Sequence, residues 1–85
     1  MNNLKEELQL LIDKANNLGL KEIDKNIAQE YLDNREYGLT FDTIVEQLYE
    51  YNILIDLETF NLIKNIILKM KLSESNYSFI KELYN

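Results

Sequence analysis

Residues Tyr31 to Tyr51, YLDNREYGLTFDTIVEQLYEY, decide the fold because they carry the clearest helical period in the chain. Six apolar or aromatic side chains recur there at intervals of three and four residues: Tyr37, Phe41, Ile44, Val45, Leu48 and Tyr51. At about 100° per residue they fall within roughly 120° of one helix face. This spacing predicts a central helix with one face in the core of a small domain.

The opposite side of the central helix is acidic, with apolar side chains set among the acids. It carries Arg35, Leu39, Asp42, Glu46, Tyr49 and Glu50. From Glu30 to Glu58 there are eight acids and one base, a net charge of −7, whereas the whole chain carries −6. Such a concentrated negative field repels nucleic acid and anionic membranes, and it favours a basic protein partner. A surface that only maintains solubility is the alternative, but it explains the localisation of the charge poorly.

The start of the central helix has two interpretations. Asp33 followed by Glu36 matches a capping box with Asp33 as the N-cap, and Asn34 is nearly as good a cap. Gly38 then lies inside the helix, which suggests close approach of another backbone. Alternatively, Gly38 ends a preceding helix and the next one begins at Thr40. We favour the continuous helix because its apolar period begins before the glycine.

Two helices are predicted before the central stretch. The first begins at Asn2 or Asn3 and ends at Gly19, and the second runs from about Lys21 to Leu32. Their inward-facing side chains are Leu4, Leu8, Leu11, Ile12, Ala15 and Leu18 in the first helix, and Ile23, Ile27, Ala28, Tyr31 and Leu32 in the second. The side chains of the first helix expected to face water are Lys5, Glu6, Glu7, Asp13 and Lys14.

The chain after the central helix is predicted to contain a link and two more helices. Residues 52–55 form an extended link that buries Ile53 and Ile55, since a lone strand would have no partner. Asp56 is the N-cap of a helix that continues to about Lys71. Its apolar side chains cover more than one face: Phe60, Leu62, Ile63, Ile66, Ile67, Leu68 and Met70. Ser73 caps a short last helix with apolar side chains Tyr77, Ile80, Leu83 and Tyr84.

These elements predict a single all-α domain over residues 1–85, a small bundle of four to five helices. The chain has no proline and two glycines, and it is rich in residues that favour helices. A chain of 85 residues suits one domain with a modest core. No repeat, low-complexity tract or linker interrupts the pattern. No apolar run approaches the about 20 residues of a membrane span, and no secretory signal is visible, so a cytoplasmic location is expected.

Composition also restricts the chemistry. The chain has neither cysteine nor histidine, so thiol catalysis, thiolate metal sites and the usual general base are excluded. The only candidate catalytic pairs are carboxylates such as Glu46 and Glu50, but they stand in one row on one helix and not on converging elements around a cleft. We therefore expect no enzymatic activity, no catalytic residue, no metal site and no cofactor.

The acidic side of the central helix is the predicted partner-binding surface. Tyr49 is out of phase with the core positions, and a tyrosine among acids is typical of an interface anchor. A partly covered surface tyrosine is the alternative interpretation. The candidate partner-binding residues are Asp33, Glu36, Asp42, Glu46, Tyr49, Glu50 and Asp56.

The central stretch resembles small immunity proteins of the MafI type, from bacterial polymorphic-toxin and contact-dependent inhibition systems. The similarity covers residues 30–72. Its first half is carried by Tyr31-Leu32-Asp33, Glu36-Tyr37-Gly38-Leu39, Phe41 and Glu46-Gln47-Leu48-Tyr49-Glu50. Its weaker second half contains Phe60, Ile63 and Lys69-Met70-Lys71-Leu72. The departures are Thr40, where the family favours small apolar residues, and the N-terminal helix, which has no match.

The resemblance implies a cytoplasmic protein that binds a cognate toxin domain and neutralises it. The concentrated negative charge of this chain further predicts that the toxin is basic. A nuclease fits this description, because it must hold phosphates. We expect no nucleic-acid or membrane partner, and a monomer or weak homodimer. The alternative is an acidic helical adaptor or scaffold module with no toxin partner.

Overall fold

The computed structural model describes residues 3–84 and contains four α-helices and a C-terminal 3₁₀ helix. Their bounds are Leu4–Leu18 (α1), Glu22–Asp33 (α2), Tyr37–Glu50 (α3), Leu57–Lys69 (α4) and Glu74–Leu83 (the 3₁₀ helix). Within the described residues, β pairing is restricted to a single bridge between Ile55 and Tyr84. The predicted all-α bundle of four to five helices is confirmed.

Helices α1 and α4 begin where the sequence predicts because a side chain caps each of them. The Asn3 side chain accepts a hydrogen bond from the Glu6 N–H at 2.8 Å, and Glu6 completes the capping box. The Asp56 side chain accepts one from the Thr59 N–H at 2.8 Å. Gly19 ends α1 with φ at 119°, a conformation that favours glycine. The other predicted cap, Asn2, lies outside the described residues.

The connection between α2 and α3 differs from the predicted one. Asp33 is the last residue of α2 and not an N-cap, while Glu36 occupies the N-cap position of α3 without a side-chain hydrogen bond. Arg35 makes the turn in the left-handed region, with φ at 61°. Gly38 lies inside α3, as predicted. However, a methyl group added there would meet no non-local heavy atom within 4 Å, so the predicted close backbone approach is wrong.

The core is built on the predicted face of α3. Phe41, Ile44, Val45 and Leu48 are fully buried, with apolar side chains from the other elements packed around them. The other members of the core are Leu8, Leu11, Ile12, Ala15, Leu20, Ala28, Leu32, Ile55, Leu62, Ile63, Ile66, Ile67, Ile80 and Leu83. Tyr37 packs at its edge. The prediction fails at Tyr51, which is 44% exposed beneath the Lys21 ammonium, 4.1 Å from its ring centroid.

Helix α2 is rotated relative to its predicted orientation. Ile23 and Ile27 are exposed, whereas Asp24, Ala28 and Leu32 form the buried face at four-residue spacing. Because alanine is small, a face that contains it permits close packing of α2 against its neighbours, which explains why the two larger isoleucines point outward.

Two predictions for α1 and α4 are also wrong. Glu7 is buried and not exposed, because its carboxylate forms an ion pair with Lys69 at 3.0 Å. Leu68 is 67% exposed, since Leu62, Ile63, Ile66 and Ile67 already fill the inward face of α4. Helix α4 ends at Lys69 and not at Lys71 as predicted. Lys71 lies beyond the helix with φ at 56°.

The last element is a 3₁₀ helix where a short helix is predicted. Ser73 occupies its N-cap position but makes no capping hydrogen bond through its side chain. The helix is interrupted by a kink at Tyr77, whose φ and ψ are −119° and 15°. Its buried side chains are Ile80 and Leu83. The bridge between Ile55 and Tyr84 joins the link before α4 to the end of the 3₁₀ helix. Ile55 is buried, as the sequence predicts for this extended link.

Candidate partner-binding face

The acidic face consists of Asp42, Glu46, Tyr49 and Glu50 on α3. The three acids are spaced at four residues and therefore lie along one side of the helix. Glu46 and Glu50 are exposed, Tyr49 is 44% exposed and Asp42 is partly buried. Because another face of α3 packs into the core, these side chains lie on the outer side of the helix and form one continuous surface.

The acidic face is not wholly opposite the core, because Asp42 contacts the 3₁₀ helix. The Tyr77 hydroxyl donates a hydrogen bond to the Asp42 carboxylate at 2.7 Å. The Tyr77 ring packs edge-to-face on Phe41, with ring centroids 5.2 Å apart. Burial, the hydrogen bond to Asp42 and the negative charges of Asp42 and Glu46 raise the pKa of Tyr77 to about 12. Asp42 therefore joins the exposed acids to the aromatic part of the core.

A second aromatic contact fixes Tyr49. Its ring packs edge-to-face against Phe79 with centroids 5.0 Å apart, and Phe79 lies 6.3 Å from the Tyr77 ring. Sequence reasoning missed Phe79 because the side of α3 that the 3₁₀ helix covers is not encoded in local spacing. The one available signal was Tyr49 itself, an aromatic side chain outside the core phase. A partly exposed ring beside carboxylates suits a guanidinium or ammonium group.

The flanking predicted site residues have structural roles. Asp33 accepts a hydrogen bond from the Gln29 side chain at 3.1 Å, and Gln29 exchanges two hydrogen bonds with Gln9 of α1 at 2.9 and 2.8 Å. The backbone carbonyl of Glu36 accepts from the Thr40 hydroxyl at 2.9 Å. Both acids are exposed, so their carboxylates border solvent at the α2–α3 turn.

Asp56 is committed to the start of α4. Hydrogen bonding to Thr59 lowers the pKa of Asp56, and the charge of Lys14 lowers it further. Lys14 in turn forms an ion pair with Glu58 at 2.6 Å, and that hydrogen bond raises the pKa of Lys14. Asp56 thus belongs to a local cap and ion-pair group, apart from the acids of α3.

The acids of the acidic face lack compensating cations. Within residues 3–84, ion pairs shorter than 4 Å join Lys14 to Glu58 and Lys69 to Glu7, and none involves Glu46 or Glu50. Helix α3 itself contains no lysine or arginine. The negative charge of this surface is therefore free to act on a partner.

Metal sites and membrane-spanning helices are not evident in the described part of the chain. Across residues 3–84, no group of three or more acids is arranged to hold a metal ion. None of the helices there has both the length and the apolar character needed to cross a membrane.

Comparison with known proteins does not assign the chain to a family. No family model matches it, and no match is found among curated proteins or among solved structures. Functional reasoning therefore depends on the residues of this chain.

Proposed function

We propose that the protein is an immunity protein that binds a basic toxin domain through the acidic face and neutralises it in the cytoplasm. The observation that carries the proposal is the pair of uncompensated carboxylates, Glu46 and Glu50, beside the anchored ring of Tyr49. The resemblance of residues 30–72 to MafI-type immunity proteins supports the same function.

The electrostatics of the acidic face suit a nuclease toxin. A nuclease carries basic residues where it holds phosphates, so its active site attracts negative charge. Carboxylates in an α-helical row offer several negative groups at regular spacing to such a surface. Opposite charges also raise the association rate, and the gain decreases as salt screens the field.

The aromatic residues supply the second requirement of a tight interface, an ordered apolar anchor. Phe79 holds the Tyr49 ring from one side while 44% of Tyr49 remains exposed. Aromatic side chains of this kind contribute strongly to binding when they fill a partner pocket. Because the ring is already packed in the free protein, little conformational entropy is lost on binding.

The direct test is co-expression of the protein with a basic toxin domain, followed by affinity measurements on the purified pair. Wild-type protein is expected to rescue growth and to form a one-to-one complex. The Glu46→Lys, Glu50→Lys variant is expected to lose about 2–5 kcal/mol of binding free energy and most of the salt dependence. Its thermal midpoint is expected to stay close to wild type, because surface substitutions change stability by about 0.5 kcal/mol or less.

The matched control is Glu22→Lys, Glu82→Lys, which makes the same change in net charge at exposed acids outside the acidic face. This control variant is expected to retain most of its affinity for the toxin domain. If both double variants weaken binding equally, net charge acts without a specific surface. If the α3 variant binds with wild-type affinity and salt dependence, the acidic face is not the interface.

Tyr49→Ala tests the aromatic anchor separately from charge. A loss of affinity with an unchanged salt dependence is expected if the ring fills a pocket on the toxin. If no basic toxin domain binds the wild-type protein, the immunity function is excluded and the adaptor function gains support.

A further inference from the structure

A cleft of about 390 Å³ lies between α4 and the 3₁₀ helix. Its apolar wall combines two aromatic rings, Phe60 and Tyr77, with three isoleucines, Ile63, Ile67 and Ile80. Phe60 is held in place by stacking on Tyr84, with ring centroids 5.0 Å apart and an interplanar angle of 17°. The Tyr77 ring is fixed by its hydroxyl, which donates to Asp42. The aromatic lining is thus preorganised by contacts outside the cleft.

The polar lining of this cleft differs in charge from the acidic face. It contains two lysines, Lys64 and Lys81, one acid, Glu74, and two serines, Ser75 and Ser78. Both lysines are exposed, and within residues 3–84 neither takes part in an ion pair. The Lys64 ammonium lies 5.7 Å from the centroid of the Phe60 ring. A positive group therefore stands next to the aromatic wall.

We propose that this cleft binds a small aromatic carboxylate. The ligand ring would pack against Phe60 and Tyr77, while its carboxylate would be held by Lys64 and Lys81. Clefts for small molecules are mostly apolar with a few polar groups that fix orientation, and this volume is at the lower end of their range, about 300–1,000 Å³. The size favours a ligand with one ring over a nucleotide or a folded peptide.

This binding site is independent of the proposed immunity function. The residues that line it belong to α4 and the 3₁₀ helix, whereas the acidic face lies on α3. Tyr77 connects the two surfaces, because its ring lines the cleft and its hydroxyl donates a hydrogen bond to Asp42. Loss of toxin binding would not affect the prediction for the cleft.

The test is a titration of the ¹⁵N-labelled protein with 3-phenylpropionate, followed by amide chemical shifts. Saturable shifts are expected around the cleft, with a Kd of about 1 mM or below, because a ligand of this size has limited affinity. The neutral analogue 3-phenylpropanamide is expected to bind at least about 10-fold more weakly, since it lacks the charge that the lysines recognise. Inorganic phosphate tests whether an anion suffices without a ring, and is expected to produce no saturable shift.

Two variants separate the lysines from the shape of the cleft. The double variant Lys64→Ala, Lys81→Ala is expected to bind 3-phenylpropionate at least about 10-fold more weakly. The control Lys5→Ala, Lys25→Ala removes the same charge outside the cleft and is expected to retain binding. Ser78→Phe is expected to fill the cleft and abolish binding. Thermal midpoints identify any variant that has unfolded.

The proposal would be overturned by the absence of saturation at about 10 mM ligand, by equal binding of the acid and the amide, or by shifts located away from the cleft. Equal weakening by the two lysine double variants would attribute binding to net charge and would also overturn it. Saturable binding of phosphate as tight as that of the aromatic acid would show an anion site without aromatic recognition.

Discussion

Helices α1 and α4 begin at side-chain caps, whereas neither helix of the hairpin formed by α2 and α3 does. Asn3 and Asp56 each accept a hydrogen bond from a backbone N–H three residues later. At the corresponding positions of α2 and α3, Lys21 and Glu36 make no side-chain capping bond. Local hydrogen bonds therefore set the starts of α1 and α4, whereas tertiary packing must set those of α2 and α3.

Packing can do this because α2 and α3 form the most extensive helix–helix contact among the described residues. The backbone turn is closed by two hydrogen bonds, from the Arg35 N–H to Leu32 at 3.0 Å and from the Glu36 N–H to Tyr31 at 2.9 Å. These bonds satisfy carbonyls at the end of α2, and the Asn34 side-chain amide donates a further hydrogen bond to the Glu30 carbonyl at 3.0 Å. The hairpin should therefore respond strongly to core substitutions and weakly to substitutions of its polar turn residues.

The largest expected effect is that of Phe41→Ala in α3. Phe41 is fully buried and contacts the Tyr77 ring, so its truncation removes apolar burial and leaves a cavity. We expect a loss of about 3–5 kcal/mol in the free energy of unfolding, measured by chemical denaturation. The total is about 5–15 kcal/mol for an ordinary domain, so the expected loss is a large fraction of it.

The control for Phe41→Ala is Ile23→Ala on α2. Ile23 is 66% exposed, and its truncation is expected to change stability by about 0.5 kcal/mol or less. A loss of similar size in both variants would mean that α2 is rotated toward the core, contrary to the structure.

The same contrast explains what could be predicted from the sequence. The fold class and the buried face of α3 followed from spacing, because only one face of that helix is continuously apolar. The face of α2 did not follow, since Ile23 and Ile27 fit a helical period as well as Ala28 and Leu32 do. Which pair is buried depends on how closely the neighbouring helices approach, and that is a property of the assembled bundle.

The candidate site was predictable to a similar degree. The row of Asp42, Glu46 and Glu50 is set by helical spacing, so sequence places all three on one side of α3. The contacts of Asp42 with Tyr77 and of Tyr49 with Phe79 join residues about 30 or more positions apart. Local patterns contain no information on such pairs, and the aromatic part of the surface was therefore missed.

The second prediction concerns the bond between Tyr77 and Asp42, which ties α3 to the 3₁₀ helix. Tyr77→Phe keeps the ring and removes the donor. We expect a loss of about 1.5 kcal/mol at neutral pH, the lower end for a hydrogen bond to a charged group, because Asp42 is only partly buried and water can replace the tyrosine. Urea denaturation of both proteins measures the difference.

The pH dependence of stability checks the same bond. The folded-state pKa of Tyr77 is raised to about 12 from an ordinary value of 10.0, so the stabilisation is complete below pH 10 and is lost as the pH rises toward 12. Asp42→Asn is expected to shift the ultraviolet titration of Tyr77 toward 10. An unchanged titration in that variant would contradict the assigned role of Asp42.

The third prediction compares the two kinds of helix start directly. Asp56→Ala removes a side-chain cap and is expected to cost about 1 kcal/mol of stability. Asp33→Ala changes an acid that was expected to cap α3 but ends α2, and a change of about 0.5 kcal/mol or less is expected. Thermal denaturation at one ionic strength measures both. A larger loss of stability for Asp33→Ala would indicate that Asp33 does act as a cap at the hairpin turn.

The smallest expected effect is a stabilisation by Arg35→Gly in the turn of the hairpin. Arg35 has φ at 61°, a conformation that costs a residue with a side chain about 1 kcal/mol and glycine almost nothing. Glycine also makes the unfolded chain more flexible, which returns about half of that gain, so a net increase of about 0.5 kcal/mol is expected. Asn52→Gly is the matched control, because Asn52 has φ at 52° and asparagine already tolerates this region. Its expected change in the free energy of unfolding is smaller than that of Arg35→Gly. If Arg35→Gly instead lowers stability by 1 kcal/mol or more, the arginine side chain stabilises the turn, and backbone geometry with helix packing is not sufficient to form the hairpin.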